Sequence, residues 1–151
     1  MDLFIKNNFK KDKSGKSDAY FLKKKIKLDQ IFFKKFLKFA KRDKKNIRIC
    51  CHKNINSKLH NMINIMFKIN NEAIPHKHIY KDEVYHILYG EIEVVIFNKK
   101  KEKIILNNKN KLIRIEKNTF HLVRSRTNVS IFHEIRQGPF LKNDSIFLNK
   151  R

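Results

Sequence analysis

The sequence has only two cysteines, and Cys50 and Cys51 are neighbours. A disulfide between adjacent residues is strained and closes almost no loop, so no covalent framework is expected and the pattern suits a reducing compartment. Neither thiol is assigned a catalytic role; on a strand the two point to opposite faces, and at least one reads as a small buried apolar group. Long apolar runs are also missing. Val94-Val95-Ile96-Phe97 is among the longest, far short of the roughly 20 residues a membrane-spanning helix needs. Near the start, Lys6 interrupts Leu3-Phe4-Ile5, where a secretory signal would carry an apolar core of roughly 7–15 residues. The expectation is a cytoplasmic protein with no transmembrane segment. At 151 residues the chain suits one domain and leaves little room for a second core.

Acidic residues are scarce: 14 Asp and Glu stand against 36 Lys and Arg, a formal charge of +22. Such a field ordinarily points to nucleic acid or an anionic membrane. Here the lysines are scattered, as in Lys10-Lys11, Lys23-Lys24-Lys25 and Lys99-Lys100-Lys101, and a scattered pattern belongs to a solvated surface. Lys, Asn and Ile are overused together and share A/T-rich codons, so genome composition can account for the excess; nucleic acid is disfavoured as a partner, and a basic nucleic-acid-binding protein stands as the second alternative. Apolar residues at 41%, with 13 Phe among them, supply a globular core.

Residues 1–19 are polar and lysine-rich and read as a loose arm, with an added edge strand as the alternative. From Leu28 to Lys41, the residues Leu28, Phe32, Phe36 and Phe39 or Ala40 recur at helical spacing, with Phe33 and Leu37 widening the face. That predicts an amphipathic helix with Asp29 as its cap, packed against the domain. After Asn46 the texture turns to short β-rich runs: Arg48 to Cys51, Met62 to Ile69, Glu83 to Tyr89, Glu91 to Phe97, Lys103 to Leu106, Leu112 to Ile115, His121 to Val123 and Val129 to Ile135. Residues 98–101 and 107–110 read as hairpin turns, and neither repeat nor linker breaks the region. The organisation expected is an arm and helix over residues 1–45 and an all-β sandwich or barrel over 46–151.

The stretch that carries chemistry is Pro75-His76-Lys77-His78-Ile79-Tyr80-Lys81-Asp82-Glu83. Two histidines separated by one residue on an extended segment project to the same face. Glu83 opens the next strand, so a turn can return its carboxylate to the imidazoles. Imidazole and carboxylate together suit zinc, iron, manganese or nickel. His121, at the start of a strand beyond two hairpins, is the expected fourth ligand. The plain alternative is a chance His-x-His on an exposed loop, and for His121 a core or rim histidine; the strand that follows Glu83 and the position of Gly90 favour the ligand reading.

In these residues the chain resembles the cupin superfamily, whose first motif pairs His-x-His with a Glu and, after six intervening residues, a Gly, matched here by Glu83 and Gly90. The motif's earlier Gly is Asn70 in this sequence and the second motif's Gly is Asn118, each the next most tolerant residue for a left-handed turn. The second motif's Pro is Glu116 and its trailing Asn is Ser125. More narrowly, Leu59-His60-Asn61-Met62, Pro75-His76-Lys77-His78, Glu83 to Gly90, Val94 to Phe97, and Glu134 followed by Gly138-Pro139-Phe140 are similar to the WbuC-like cupin metalloproteins of bacterial surface-polysaccharide gene clusters. The resemblance implies a single jelly-roll-like β-barrel with one divalent metal, linked to O-antigen or lipopolysaccharide sugar metabolism. It is also compatible with a homodimer paired through sheet edges.

On that reading four protein ligands leave two octahedral positions for water or substrate. The ion could polarise a sugar carbonyl or hydroxyl while Glu134, His60 or Tyr85 moves a proton, which is isomerase or epimerase-type work. A non-catalytic module that binds or senses a sugar nucleotide is the alternative from another class. His60 shares its phase with Met62, Asn64 and Met66, opposite Ile63, Ile65 and Phe67, and a structural role for it is equally compatible with the pattern; His52 is a similar case. His86 and His133 fall out of phase with the pocket, whereas Glu134 faces it. Arg48 and Tyr85 are further substrate-contacting candidates.

Overall fold

A computed structural model describes residues 3–12, 18–24 and 27–148. In chain order the elements are α1 (Leu3–Asn8), β1 (Phe9–Asp12), β2 (Asp18–Leu22), α2 (Gln30–Asp43), β3 (Ile47–Cys50), β4 (Leu59–Phe67), a 3-10 turn (Lys68–Asn70), β5 (His76–His78), β6 (Glu83–Tyr89), β7 (Ile92–Phe97), β8 (Lys101–Leu106), β9 (Leu112–Ile115), β10 (His121–Ser125), β11 (Val129–Gln137) and β12 (Ser145–Phe147). Seven strands form one sheet in the order β1-β2-β3-β4-β11-β6-β9, and five form the other in the order β12-β5-β10-β7-β8. The two sheets pack as a jelly-roll-like sandwich.

Among the described residues, every strand pairing is antiparallel except β2 with β3. Parallel neighbours need a crossover, and α2 supplies it. The Asp29 side chain caps α2 by accepting from the Phe32 amide at 3.0 Å, and Lys44 at φ 47° ends it.

Alternation along the strands of the large sheet gives it two different faces. Ile47, Ile49, Ile63, Ile65, Phe67, Val129 and Ile131 form one, buried under Phe32, Phe36, Phe39 and Ala40 of α2. The opposite face meets the small sheet through Tyr85, Ile87, Ile115 and Phe132, packed on Ile92, Val94, Ile96 and Leu106. Both faces are therefore closed.

Of the expected arm, residues 3–12 and 18–19 pack on the domain, with β1 and β2 at the edge of the large sheet, and residues 1–2 and 13–17 lie outside the described residues. Ile5 and Phe9 are buried, and Phe4 and Phe9 stack edge-on or tilted with Phe32 and Phe36 at centroid distances of 5.0–6.0 Å. Three apolar side chains spaced among lysines suffice to extend the core. Among the described residues, Gly90 at φ +74° is joined in the positive-φ region by Lys44 and Asn118 alone. Asn118, at φ 63°, thus takes the left-handed turn expected of it, whereas Asn70 closes the 3-10 turn instead.

A candidate metal centre between the sheets

Register brings the chemistry-bearing side chains together. On the small sheet His121 pairs directly with His76, and His78 follows two residues later on the same face. On the large sheet Glu83 pairs with Arg136 and Tyr85 with Glu134. The two sets meet in the interior, where Glu83, His78, His121, Tyr85 and Glu134 are buried.

The ligand atoms of His76, Glu83 and His121 all lie within 4.8 Å of one another. His121 Nε2 stands 2.9 Å from Glu83 Oε2, and His78 Nε2 stands 3.0 Å from Glu83 Oε1. His78 is also 3.2 Å from Arg136 Nη1 through the same Nε2. It adjoins the His76, Glu83 and His121 group and shares the carboxylate with that arginine.

The other ring nitrogen of each histidine is already engaged. Nδ1 of His76 faces the Ile74 carbonyl at 3.3 Å, Nδ1 of His121 the Thr119 carbonyl at 2.9 Å, and Nδ1 of His78 the Asp144 carboxylate at 2.9 Å. Carbonyl and carboxylate oxygens only accept, so each Nδ1 carries a proton and Nε2 is the nitrogen that each ring turns inward. Such outer partners orient metal-binding histidines. An Nε2 lone pair cannot rest against a carboxylate oxygen at 2.9 Å without a cation between them. Protons can supply it, and so can a metal ion, whose bonds of roughly 2.1 Å set neighbouring donors about 3 Å apart in an octahedron. The donor set fits a divalent ion.

The electrostatics differ between the ligands. Burial, reinforced by His121, pushes His76 down to about 4, so it is neutral and ready to ligate. Burial opposes charge on both Glu83 and His121, yet their mutual hydrogen bond and attraction outweigh it: the carboxyl lies well below its ordinary value and the imidazole above its own. Tyr85 is raised well above the ordinary phenol value by burial and by Glu83. It therefore keeps its proton and donates to Glu83 Oε2 at 2.9 Å, with its oxygen 3.2 Å from His121 Nε2.

Glu134 and His60, the other expected proton-handling groups, stand further back. Glu134 accepts from Asn64 at 2.9 Å and lies 3.7 Å from Arg136. Arg48, expected as a substrate contact, reaches the same Asn64 at 3.4 Å. His60 faces the Ile55 carbonyl at 3.1 Å and stacks on His52 at 4.3 Å with ring planes 7° apart. Burial and His52 push His60 down to about 4. His133 leaves the pocket to contact Asn61, as its phase required.

Two buried groups, Lys81 and Asp144, and the half-buried Arg136 carry no signal in the motif. Arg136 lies two residues beyond Glu134 on β11, so the same alternation that selected Glu134 also selects Arg136. Lys81, hidden among 36 Lys and Arg, is buried, contacts the Pro139 carbonyl and lies 3.8 Å from Asp144. Asp144 sits in an irregular segment before β12, where no periodicity marks it. Its other oxygen accepts from the Tyr80 amide at 2.9 Å.

The fold is that of the cupins, with a His-Glu-His triad at its centre. Capsular polysaccharide assembling protein CapF from Staphylococcus aureus superposes with a TM-score of 0.57 at 14% identity, over 68% of this chain and 32% of its own. Oxalate decarboxylase from Lactobacillus farciminis gives 0.51 at 17% identity over 61% and 27%, respectively. Protein SO0799 from Shewanella oneidensis gives 0.60 at 8% identity over 76% and 82%. The chain thus spans about a third of the length of CapF. No family profile matches the sequence, and no curated protein does. Among the described residues no helix is long and apolar enough to cross a membrane.

Proposed function

We propose that this cupin uses His76, His78, Glu83 and His121 to hold one divalent ion, zinc, iron, manganese or nickel, and acts on a sugar or sugar nucleotide in bacterial surface-polysaccharide biosynthesis. The observation that carries the reading is the pair of contacts from Glu83 to His121 and His78, at 2.9 and 3.0 Å, made by nitrogens whose rings already donate from Nδ1. The ligand atoms of His76, Glu83 and His121, all within 4.8 Å of one another, can share one ion. The fold likeness to a capsular polysaccharide assembling protein supports the setting.

When bound, the ion supplies Lewis-acid polarisation of a carbonyl or hydroxyl oxygen. The chain's own residues do the rest. Tyr85 keeps its proton beside Glu83 and His121, and is the group closest to the ligands for moving a proton. Glu134 stands behind Arg136, and His60 is turned toward Ile55. Isomerase or epimerase-type proton transfer is the reaction class that this arrangement suits.

The test is incubation of metal-loaded protein with nucleotide sugars in heavy water, followed by NMR. Deuterium entering a sugar C–H position, and none in His76→Ala, is the expected result. Saturable binding with no exchange would leave a binding module and remove the enzyme.

A further inference from the structure

An ion that enters this centre reverses the sign of the charge buried around it. Glu83, Glu134, Asp144 and Lys81 are all buried. Arg136 joins them with its side chain 13% exposed, and its Nη1 lies 3.2 Å from Glu83 and 3.7 Å from Glu134. Lys81 pairs with Asp144 at 3.8 Å. In these ion pairs three carboxylates thus face two cations, and Arg48 stands further out, against Asn64. Metal-ligating imidazoles are neutral, so a divalent ion turns one surplus negative charge into one surplus positive charge. Surplus charge is costly in a low-dielectric interior. The loaded centre therefore favours a ligand that carries one negative charge.

Arg136 says which kind. Its Nε is, among the described residues, the buried side-chain polar atom without a hydrogen-bond partner, while its contacts to His78 and Glu83 run through Nη1. A buried donor left unpaired is unfavourable until an acceptor reaches it, and this one lies beneath the surface, beside the ligand histidines. The planar guanidinium fork matches the two oxygens of a carboxylate. A phosphate monoester carries nearly two charges at neutral pH, and a sugar with hydroxyls alone carries none. Of these three, the carboxylate matches both the charge and the fork.

We propose that the metal centre binds a monoanionic carboxylate, a hydroxy acid or an acidic sugar, with Arg136 receiving the carboxylate beside the ion. The assignment rests on the metal reading above and narrows its substrate class. The chain's formal charge of +22 would steer such an anion inward.

The experiment loads the full chain with nickel(II), removes unbound ion and measures nickel content first. A chain that takes up no nickel contradicts the metal reading itself. Glycolate, ethylene glycol and inorganic phosphate are then titrated into the loaded protein by calorimetry. Glycolate is expected to bind roughly tenfold or more tighter than either. Arg136→Gln is expected to keep nickel and lose glycolate affinity by a similar factor. Arg136→Lys covers the case in which that variant does not fold: it keeps the charge without the fork, and should retain nickel while weakening glycolate. Absence of glycolate binding at millimolar concentration, equal or tighter binding of ethylene glycol or phosphate, or unchanged glycolate affinity in a nickel-bearing Arg136 variant, overturns the carboxylate assignment and leaves the metal centre in place.

Discussion

Asp144 Oδ2 accepts a hydrogen bond from His78 Nδ1 at 2.9 Å, joining residues 66 apart in sequence. The bond fixes the imidazole so that Nε2 points at Glu83. Exchanging the carboxylate for an amide keeps the shape and loses the charge. Asp144→Asn should therefore weaken metal affinity by about 10–100-fold, as measured by competition with a chromogenic chelator. An unchanged affinity would separate His78 from the ion.

The ion and a proton compete for the same nitrogen. His121 holds a proton more tightly than an ordinary imidazole because Glu83 faces it, and a metal must displace that proton. Affinity should be full above the raised His121 pKa and fall as pH drops through it, while His76, already depressed to about 4, contributes nothing until far lower pH. Calorimetry in two buffers of different ionisation enthalpy should report proton release on binding. A pH-independent affinity would contradict the site.

Much of this was legible in the sequence. The helix and its Asp29 cap followed from the Phe spacing, and the inward row His60, Met62, Asn64 followed from alternation. His76, His78 and Glu83 were marked by local spacing, and His121 by its place at the start of a strand beyond two hairpins. What stayed hidden was non-local. Arg136 belongs to the site because it pairs with Glu83 across β11 and β6, and Asp144 because an irregular segment folds back on His78. The N-terminal residues misled for a different reason: Ile5 and Phe9 are buried by α2, a tertiary contact that outweighs their polar surroundings.

Both cysteines should be unreactive in the folded state. Burial pushes Cys50 up to about 12 and Cys51 up to about 11, from an ordinary 9.0. The folded chain thus holds protons that the unfolded chain releases. The stability this represents is complete below pH 9.0 and is lost as pH climbs toward 11 and 12. Iodoacetamide at pH 8 should label the native protein far more slowly than the urea-unfolded one; equal rates would refute the burial.

Gly90 sits at φ +74°, and a Cβ there would meet Thr127 Oγ1 at 2.5 Å and the Val129 carbonyl at 2.6 Å. Gly90→Ala should destabilise the protein by more than about 1 kcal/mol, because both the conformation and the space exclude a side chain. Phe36→Ala empties the centre of the helix-covered layer and should cost about 3–5 kcal/mol. Urea unfolding of the two variants measures both. In the folded fraction of Phe36→Ala, metal stoichiometry should be unchanged, since Phe36 packs on the opposite face of the sheet from Glu83.

Elemental analysis of the purified chain, alongside His121→Ala, tests the central claim most directly. The account predicts one divalent ion per wild-type chain and its loss from the variant. A wild-type chain that holds no ion after exposure to zinc, iron, manganese and nickel, or a variant that keeps the ion in full, would contradict it.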